Sequence, residues 1–151
     1  SFYAKKIKKT LKKKINDHKI IIVDGDEVRK YVTYKLGYRI SDRKKNSLII
    51  SDLCKYLEFK GFTVICPILS IFKTHQKRNR KIFNKYLQIF IDISISELAK
   101  RNNKNIYTKK NVVGKEIKFP KPYKSDLIIK NQFGKDYRNN LKKIFKLINA
   151  K

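Results

Sequence analysis

The stretch Ile20-Ile21-Ile22-Val23-Asp24-Gly25-Asp26-Glu27-Val28-Arg29 decides the fold. Four β-favouring apolar residues run straight into two carboxylates separated by a glycine. An apolar run of this length, stopped by a turn signal, fits a strand buried on both faces, as in a parallel α/β sheet. Ligands of such sheets collect at the carboxyl ends of the strands, where Asp24 and Asp26 are expected to sit. Gly25 permits the tight turn, and Asp26 is the expected cap of the helix that follows. Taken alone, the stretch reads equally well as a strand and a helix cap with no ligand.

Upstream, Tyr3, Ile7, Leu11 and Ile15 recur at every fourth position among lysines, the pattern of an amphipathic helix whose solvated face is the Lys5–Lys14 run. With no cap or turn ahead of it, this helix reads as cut. The first strand is expected over residues 19–23, followed by a short helix ending near Leu36-Gly37. Ser41-Asp42 opens a longer helix, with Leu48, Ile49, Leu53 and Leu57 inward and Gly61 as its stop. Residues 63–66 read as the next strand, leading into Pro67-Ile68-Leu69-Ser70-Ile71-Phe72. A basic helix over about 73–85 leads to a strand at 87–91, and Ser94 or Ser96 starts a short helix up to Arg101. Residues 102–124 break the rhythm: they are polar, carry Gly114, Pro120 and Pro122, and show no period. About twenty residues without structure inside a compact domain mark a functional lid, here residues 102–122. A last strand at 127–129 and a helix marked by Leu141, Ile144, Phe145 and Ile148 complete the chain. The alternation argues for a mostly parallel sheet with helices on both faces, in one domain.

The 151 residues suffice for a single core, and 41% hydrophobic content separates the chain from a disordered polycation although 34% of it is charged. A formal charge of +27 calls for an anionic partner: nucleic acid, a membrane surface or a phosphorylated small molecule. The lysines are scattered on a background rich in Ile and Asn, which attributes part of the charge to compositional drift. No RNA-binding or zinc-finger signature accompanies them, so a basic nucleic-acid module is the weaker alternative. Cys54 and Cys66 lack metal-ligand spacing and read as buried free thiols of a reducing cytoplasm. No apolar run approaches the roughly 20 residues of a membrane span, no signal peptide is visible, and no membrane partner is expected. The sequence contains no methionine, so a natural N-terminus is expected further upstream.

In this order, the motifs resemble those of the adenylylsulfate kinase family, P-loop kinases that phosphorylate the ribose 3′-hydroxyl of adenylyl sulfate. The family's Asp-Gly-Asp-Asn-Val-Arg stands here as Asp24-Gly25-Asp26-Glu27-Val28-Arg29. Leu-Gly-Phe followed by Asp-Arg-x-x-Asn stands as Leu36-Gly37-Tyr38 and Asp42-Arg43-Lys44-Lys45-Asn46. Ile-Ser-Pro-Phe stands as Leu69-Ser70-Ile71-Phe72, and the lid's Arg-Asp-Pro-Lys-Gly-Leu-Tyr as Arg101-Asn102-Asn103-Lys104-Asn105-Ile106-Tyr107. The resemblance implies a P-loop NTPase-like three-layer α/β sandwich, ATP and Mg²⁺ as cofactors, a nucleotide substrate and a homodimer. It makes Asp26 the general base, with Asp24 and Glu27 beside it in the substrate-binding motif. Arg29, Arg43 and Asn46 would grip the phosphate end, and Tyr38 and Phe119 would stack on the base from either side. Leu69, Ser70, Lys104 and Lys118 would line the same pocket. Arg101 would lie near the ATP base, and Ser1 aligns with the hydroxyl residue that binds ATP and Mg²⁺.

These residue types suit the chemistry. Phosphoryl transfer is mostly positioning and charge neutralisation, arginine forks match phosphate, and aromatic faces hold nucleobases. Each residue alone has a plainer reading: Tyr38 and Phe119 as core, Arg29 and Arg43 as surface charge, Ser70 as a turn residue. His18 and His75 match no catalytic position and are expected at the surface.

The chain departs from the family pattern in places. The Gly-x-x-x-x-Gly-Lys-Ser/Thr loop is absent, and the sequence starts where that loop would end. The loop and the first strand are therefore expected upstream; a polypeptide truly lacking them would be a non-catalytic nucleotide-binding pseudo-kinase. The lid is shortened, with Pro120-Lys121-Pro122-Tyr123 directly after Phe119. Glu27, Tyr38 and Ile71 replace Asn, Phe and Pro. A branch of the family phosphorylates the 3′-hydroxyl of cytidine diphosphoramidate in capsule modification, and a short base-binding lid fits that branch too. The sequence leaves the acceptor open between the two nucleotides.

Overall fold

The computed structural model describes residues 2–94, 96–97, 113, 117, 119–130 and 136–150. Most of the expected lid, and with it Arg101, Lys104 and Lys118, lies outside the described residues, as does Ser1. The elements are α1 (Phe2–Leu11), β1 (Ile20–Ile22), α2 (Gly25–Tyr31), α3 (Ile40–Phe59), β2 (Thr63–Ile65), α4 (Lys73–Ile82), β3 (Ile89–Asp92), β4 (Leu127–Lys130) and α5 (Tyr137–Asn149). They gather into two compact units, Ser1–Asn84 and Lys85–Lys151. Among the described residues no helix is long and apolar enough to cross a membrane.

In the first unit, β1 and β2 pair in parallel, with Ile20 opposite Thr63 and Ile22 opposite Ile65. The ladder outlasts the strands: Val23 N donates to Ile65 O at 2.9 Å and Gly25 N to Pro67 O at 3.1 Å. Helix α1 packs on β1 through Tyr3, Ala4, Ile7 and Leu11, which leaves the lysine face to solvent. Asp17 follows it, paired with Lys12 at 2.7 Å and Lys8 at 3.6 Å. The Lys12 contact, with Lys8 behind it, holds the Asp17 carboxyl below its ordinary value.

The core of this unit is Val23, Val28, Ile50 and Cys54, with Ile21, Leu53, Leu57, Val64, Cys66 and Phe83 packed against it. Helix α3 shows only part of the expected face: Leu53 and Leu57 pack against the core as expected. Ile49 points outward, while Asn46, Ser47 and Ser51 are buried beside Ile50 and Cys54. Polar residues are tolerated inward because α4 offers polar partners. Ser47 Oγ lies 3.1 Å from His75 Nδ1, and Ser51 Oγ donates to Asn79 Oδ1 at 2.5 Å while accepting from Arg78 Nη1 at 3.1 Å. Arg78 Nη2 also donates to Asp52 Oδ1 at 2.6 Å. His18 is exposed as expected, but His75 is not a surface residue: it is 6% exposed and its ring packs 5.1 Å from that of Phe72. Gly61, at φ +82°, ends α3 as expected, with Phe62 N donating back to Leu57 O at 3.0 Å. Cys54 and Cys66 are both free thiols. Their mutual hydrogen bond holds Cys54 down and, with burial, pushes the Cys66 thiol up.

Helix α2 begins on a correction. The cap is Asp24, not Asp26: Asp24 has an extended backbone (φ −80°, ψ 126°), and its Oδ1 accepts from Asp26 N at 2.9 Å. The helix ends at Tyr31, short of Leu36-Gly37. Val32 N and Thr33 N both fall back on Val28 O, and buried Thr33 donates its hydroxyl to Asn46 Oδ1 on α3.

In the second unit, β3 and β4 pair in parallel, Ile89 opposite Leu127 and Asp92 opposite Lys130. Gln88 and Asp126 clamp their entry, Gln88 N donating to Asp126 Oδ2 at 2.8 Å and Asp126 N to Gln88 O at 2.9 Å. Helix α5 packs on β4, with Ile129 and Ile144 fully buried. Ser94 Oγ accepts from Glu97 N at 3.2 Å, the start of the short helix expected there. Its continuation lies outside the described residues.

Two stability measurements follow. Asp24→Ala removes the α2 cap and should lower stability by about 0.5–2 kcal/mol in urea unfolding, with Asp24→Asn retaining most of it. Burial first, then the charges of Lys44 and Arg78, lower the His75 pKa below its ordinary 6.5. The unfolded chain therefore takes up this proton first as pH falls. The contribution of neutral His75 is whole above about pH 6.5 and is lost as pH drops through the folded-state value. The fall in urea midpoint between about pH 8 and pH 5 should be larger for the wild type than for His75→Gln.

Candidate functional site

The parallel ladder delivers Asp24-Gly25-Asp26 to the carboxyl end of β1, against the segment that follows β2. Gly25 lies close against that segment: a Cβ on it would meet Ile68 Cγ1 at 3.4 Å and Pro67 O at 3.5 Å, ordinary van der Waals distances. With Asp24 committed to the cap, Asp26 stands in the first turn of α2 with an exposed carboxylate, and Glu27 beside it is also exposed. The N-terminal turn of a helix favours negative charge, so both carboxylates are accommodated where they stand.

One turn further, Arg29 reaches across to the loop that joins α2 to α3. Its Nη1 donates to Gly37 O at 2.5 Å and to Leu36 O at 3.5 Å, and its guanidinium carbon lies 4.8 Å from the centre of the Tyr38 ring. Arg43, in the first turn of α3, also faces that ring at 5.4 Å, and its Nε donates to Tyr38 O at 2.9 Å. Two cations over one aromatic ring are each attracted by its π face while they repel each other. Burial and the like charge of Arg29 lower the Arg43 pKa, and Tyr38 and the Asp26 carboxylate act against them. Asp26, Arg29, Tyr38 and Arg43 thus form one electrostatic cluster. The loop is tight because Gly37 lies against α3: a Cβ there would come within 2.9 Å of Asp42 Oδ2. Tyr38 itself remains 54% exposed, enough to offer apolar surface to a ligand.

The segment after β2 carries two more expected site residues. Leu69 is 54% exposed, and Ser70 is half-buried and held by Gln76, whose Nε2 donates to Ser70 O at 3.0 Å. Asn46 is placed differently: it is buried, and its oxygen is committed to Thr33. Phe119 belongs to the second unit, where its ring stacks on Phe90 at 5.6 Å and 9°. Ser1, Arg101, Lys104 and Lys118 lie outside the described residues. The Mg²⁺ expectation rests on Ser1, and among the described residues no group of three or more His, Cys, Asp or Glu side chains is placed to hold a metal. Thr33 and Gln76 escaped the sequence reading, and His75 was expected at the surface. The signal available for the polar seam was the four-residue spacing of Ser47 with Ser51 and of His75 with Asn79.

The comparisons with known proteins agree with one another. Residues 1–130 match the family model described as adenylylsulphate kinase. The cytidine diphosphoramidate kinase of Campylobacter jejuni is 35% identical over 146 residues, covering 91% of this chain and 81% of its own length. The adenylyl-sulfate kinase of Clostridium acetobutylicum is 29% identical over 115 residues, covering 72% of this chain and 58% of its own. In fold, the Mycobacterium tuberculosis APS kinase in complex with AMPPNP and APS superposes with a TM-score of 0.82 at 22% identity, over 97% of this chain and 88% of that one. The P-loop NTPase-like α/β fold implied by the family resemblance is therefore the one present. The chain belongs to the adenylylsulphate kinase family of phosphotransferases.

Proposed function

We propose that this protein transfers the γ-phosphoryl group of ATP to the ribose 3′-hydroxyl of cytidine diphosphoramidate. The observation that carries the reading is the exposed Asp26 carboxylate at the end of β1, electrostatically joined to Arg29, Arg43 and Tyr38. Asp26 takes the proton of the 3′-hydroxyl as its oxygen bonds to the γ-phosphorus and the bridging bond to ADP breaks. Arg29 and Arg43 hold the charge of the acceptor's phosphate end, and their pairing on Tyr38 keeps both guanidiniums in place before the ligand arrives. Tyr38 supplies aromatic surface for the base, while Leu69 and Ser70 form the wall beside the acid turn. Mg²⁺ carried on ATP neutralises phosphate charge. The family resemblance assigns Ser1 and Arg101 to ATP and Lys104 and Lys118 to the acceptor, all four outside the described residues. Asn46 acts through its bond to Thr33, fixing α3 and with it Arg43.

The cytidyl acceptor is supported by the Campylobacter jejuni relative, which is more similar and spans more of the chain than the Clostridium acetobutylicum adenylyl-sulfate kinase. The short Phe119-Pro120-Lys121-Pro122 passage points the same way. Adenylyl sulfate is the second reading, favoured by the family match itself.

ADP release by the full-length protein with Mg-ATP, with each nucleotide offered separately, tests this. Turnover with cytidine diphosphoramidate and little with adenylyl sulfate is expected, and the reverse would replace the first acceptor by the second. Asp26→Asn should lower kcat by about 10²–10⁴-fold while nucleotide binding changes by no more than a few-fold. Near-normal turnover in that variant would remove Asp26 from the mechanism.

A further inference from the structure

Gln76 is a buried polar side chain facing the site segment, and the chemistry above gives it no part. It lies in the first turn of α4, is 2% exposed, and reaches back six residues to Ser70. Its Nε2 stands 3.0 Å from Ser70 O and 3.3 Å from Ser70 Oγ. A carbonyl oxygen can only accept, so the atom facing it is the amide nitrogen, which determines which way the amide is turned. The two hydrogens on Nε2 serve both Ser70 atoms. In its bond with Gln76 the Ser70 hydroxyl is therefore an acceptor, and its own hydrogen is directed elsewhere. Among the described residues nothing takes that hydrogen.

The surroundings make this arrangement stiff. Ile71 is buried directly after Ser70, and α4 starts on Phe72, whose carbonyl accepts from His75 N and Gln76 N, each at 3.1 Å. Upstream, Pro67 O is tied to Gly25 N and Ile68 touches Gly25, so the segment lies beside the Asp24–Asp26 turn. A hydroxyl with one lone pair occupied by a buried amide has lost much of the freedom that lets an ordinary serine serve as either donor or acceptor.

We propose that Gln76 is a positioning residue that presents the Ser70 hydroxyl as a hydrogen-bond donor to an oxygen on the phosphate-like end of the acceptor nucleotide. This rests on the kinase reading above. A fixed donor suits an oxygen of a phosphate, sulfate or phosphoramidate group and is wasted on an N–H.

Steady-state kinetics of Gln76→Glu, Ser70→Ala and the double variant test it, with cytidine diphosphoramidate and adenylyl sulfate as acceptors. Gln76→Glu keeps the length but offers only acceptor oxygens, so the hydroxyl turns to the carboxylate and is lost to the nucleotide. Each single variant should raise KM for the nucleotide roughly ten-fold, with kcat and KM for ATP within about two-fold of wild type. The double variant should be no worse than Ser70→Ala, because the two residues act through one bond. Gln76→Ala, which introduces no charge, covers the case of a misfolded glutamate variant: its smaller KM increase should vanish in the Ser70→Ala background. KM effects that multiply, an unchanged KM in Gln76→Glu and Gln76→Ala, or losses shared with kcat and ATP would overturn the proposal while leaving the kinase reading intact. A wild type that turns over neither nucleotide would overturn both.

Discussion

The backbone bond from Gly25 N to Pro67 O is the constraint on which the site depends. Parallel strands end side by side, and here their pairing continues past the last regular residues, so two loops from distant parts of the sequence leave the sheet as neighbours. One carries Asp24 and Asp26, the other Leu69 and Ser70. The approach is close: a Cβ on Gly25 would rest against Ile68 in ordinary van der Waals contact. The same turn then caps α2 through Asp24, which aims Arg29 at the loop before α3. A single ladder thus sets the acid turn, the first arginine and the Ser70 segment relative to one another, with no need for a large sheet.

Charge is handled locally against a strongly positive background. Arg29 and Arg43 share the Tyr38 ring and are bonded to the carbonyls of Gly37 and Tyr38. Carbonyl oxygens and a π face stabilise cations without neutralising them. The two guanidiniums therefore keep their charge and remain suited to an anion, with Asp26 as the nearby carboxylate that tempers Arg43. The lysines of α1 lie on the face turned away from β1.

The parts of this structure that were legible in the sequence are those written in local signals. The Ile20–Val23 run and the Asp-Gly-Asp turn announce themselves because a buried strand excludes polar residues and the carboxylates at its end mark the turn into a capped helix. Gly61 as the stop of α3 is legible because its φ of +82° favours glycine. Three readings failed in whole or in part, two of them where a partner distant in sequence made the decision. Asp24 and Asp26 are equally good caps by composition, and only the extended backbone at Asp24 separates them. On α3, Leu53 and Leu57 face the core as expected, but Ile49 does not, and apolar periodicity misses the buried Asn46, Ser47 and Ser51, to which Thr33 and α4 offer hydrogen bonds. His75 looked like a surface residue on a basic helix for the same reason. Of the candidate site, the ordered motifs singled out Arg29, Tyr38 and Arg43, which the structure brings together, but not the contacts among them, which depend on how the loop at Gly37 folds.

The seam between α3 and α4 has a consequence of its own. Apolar helix faces can slide by a fraction of a turn at modest cost, since one methyl replaces another in a groove. Ser47 with His75, and Ser51 with Asn79 and Arg78, form a discrete set of bonds, and a shift of one residue breaks all of them at once. The seam works as a ratchet with a single tooth position. It indexes the start of α4, and therefore the side chain that holds Ser70, to the helix that carries Arg43.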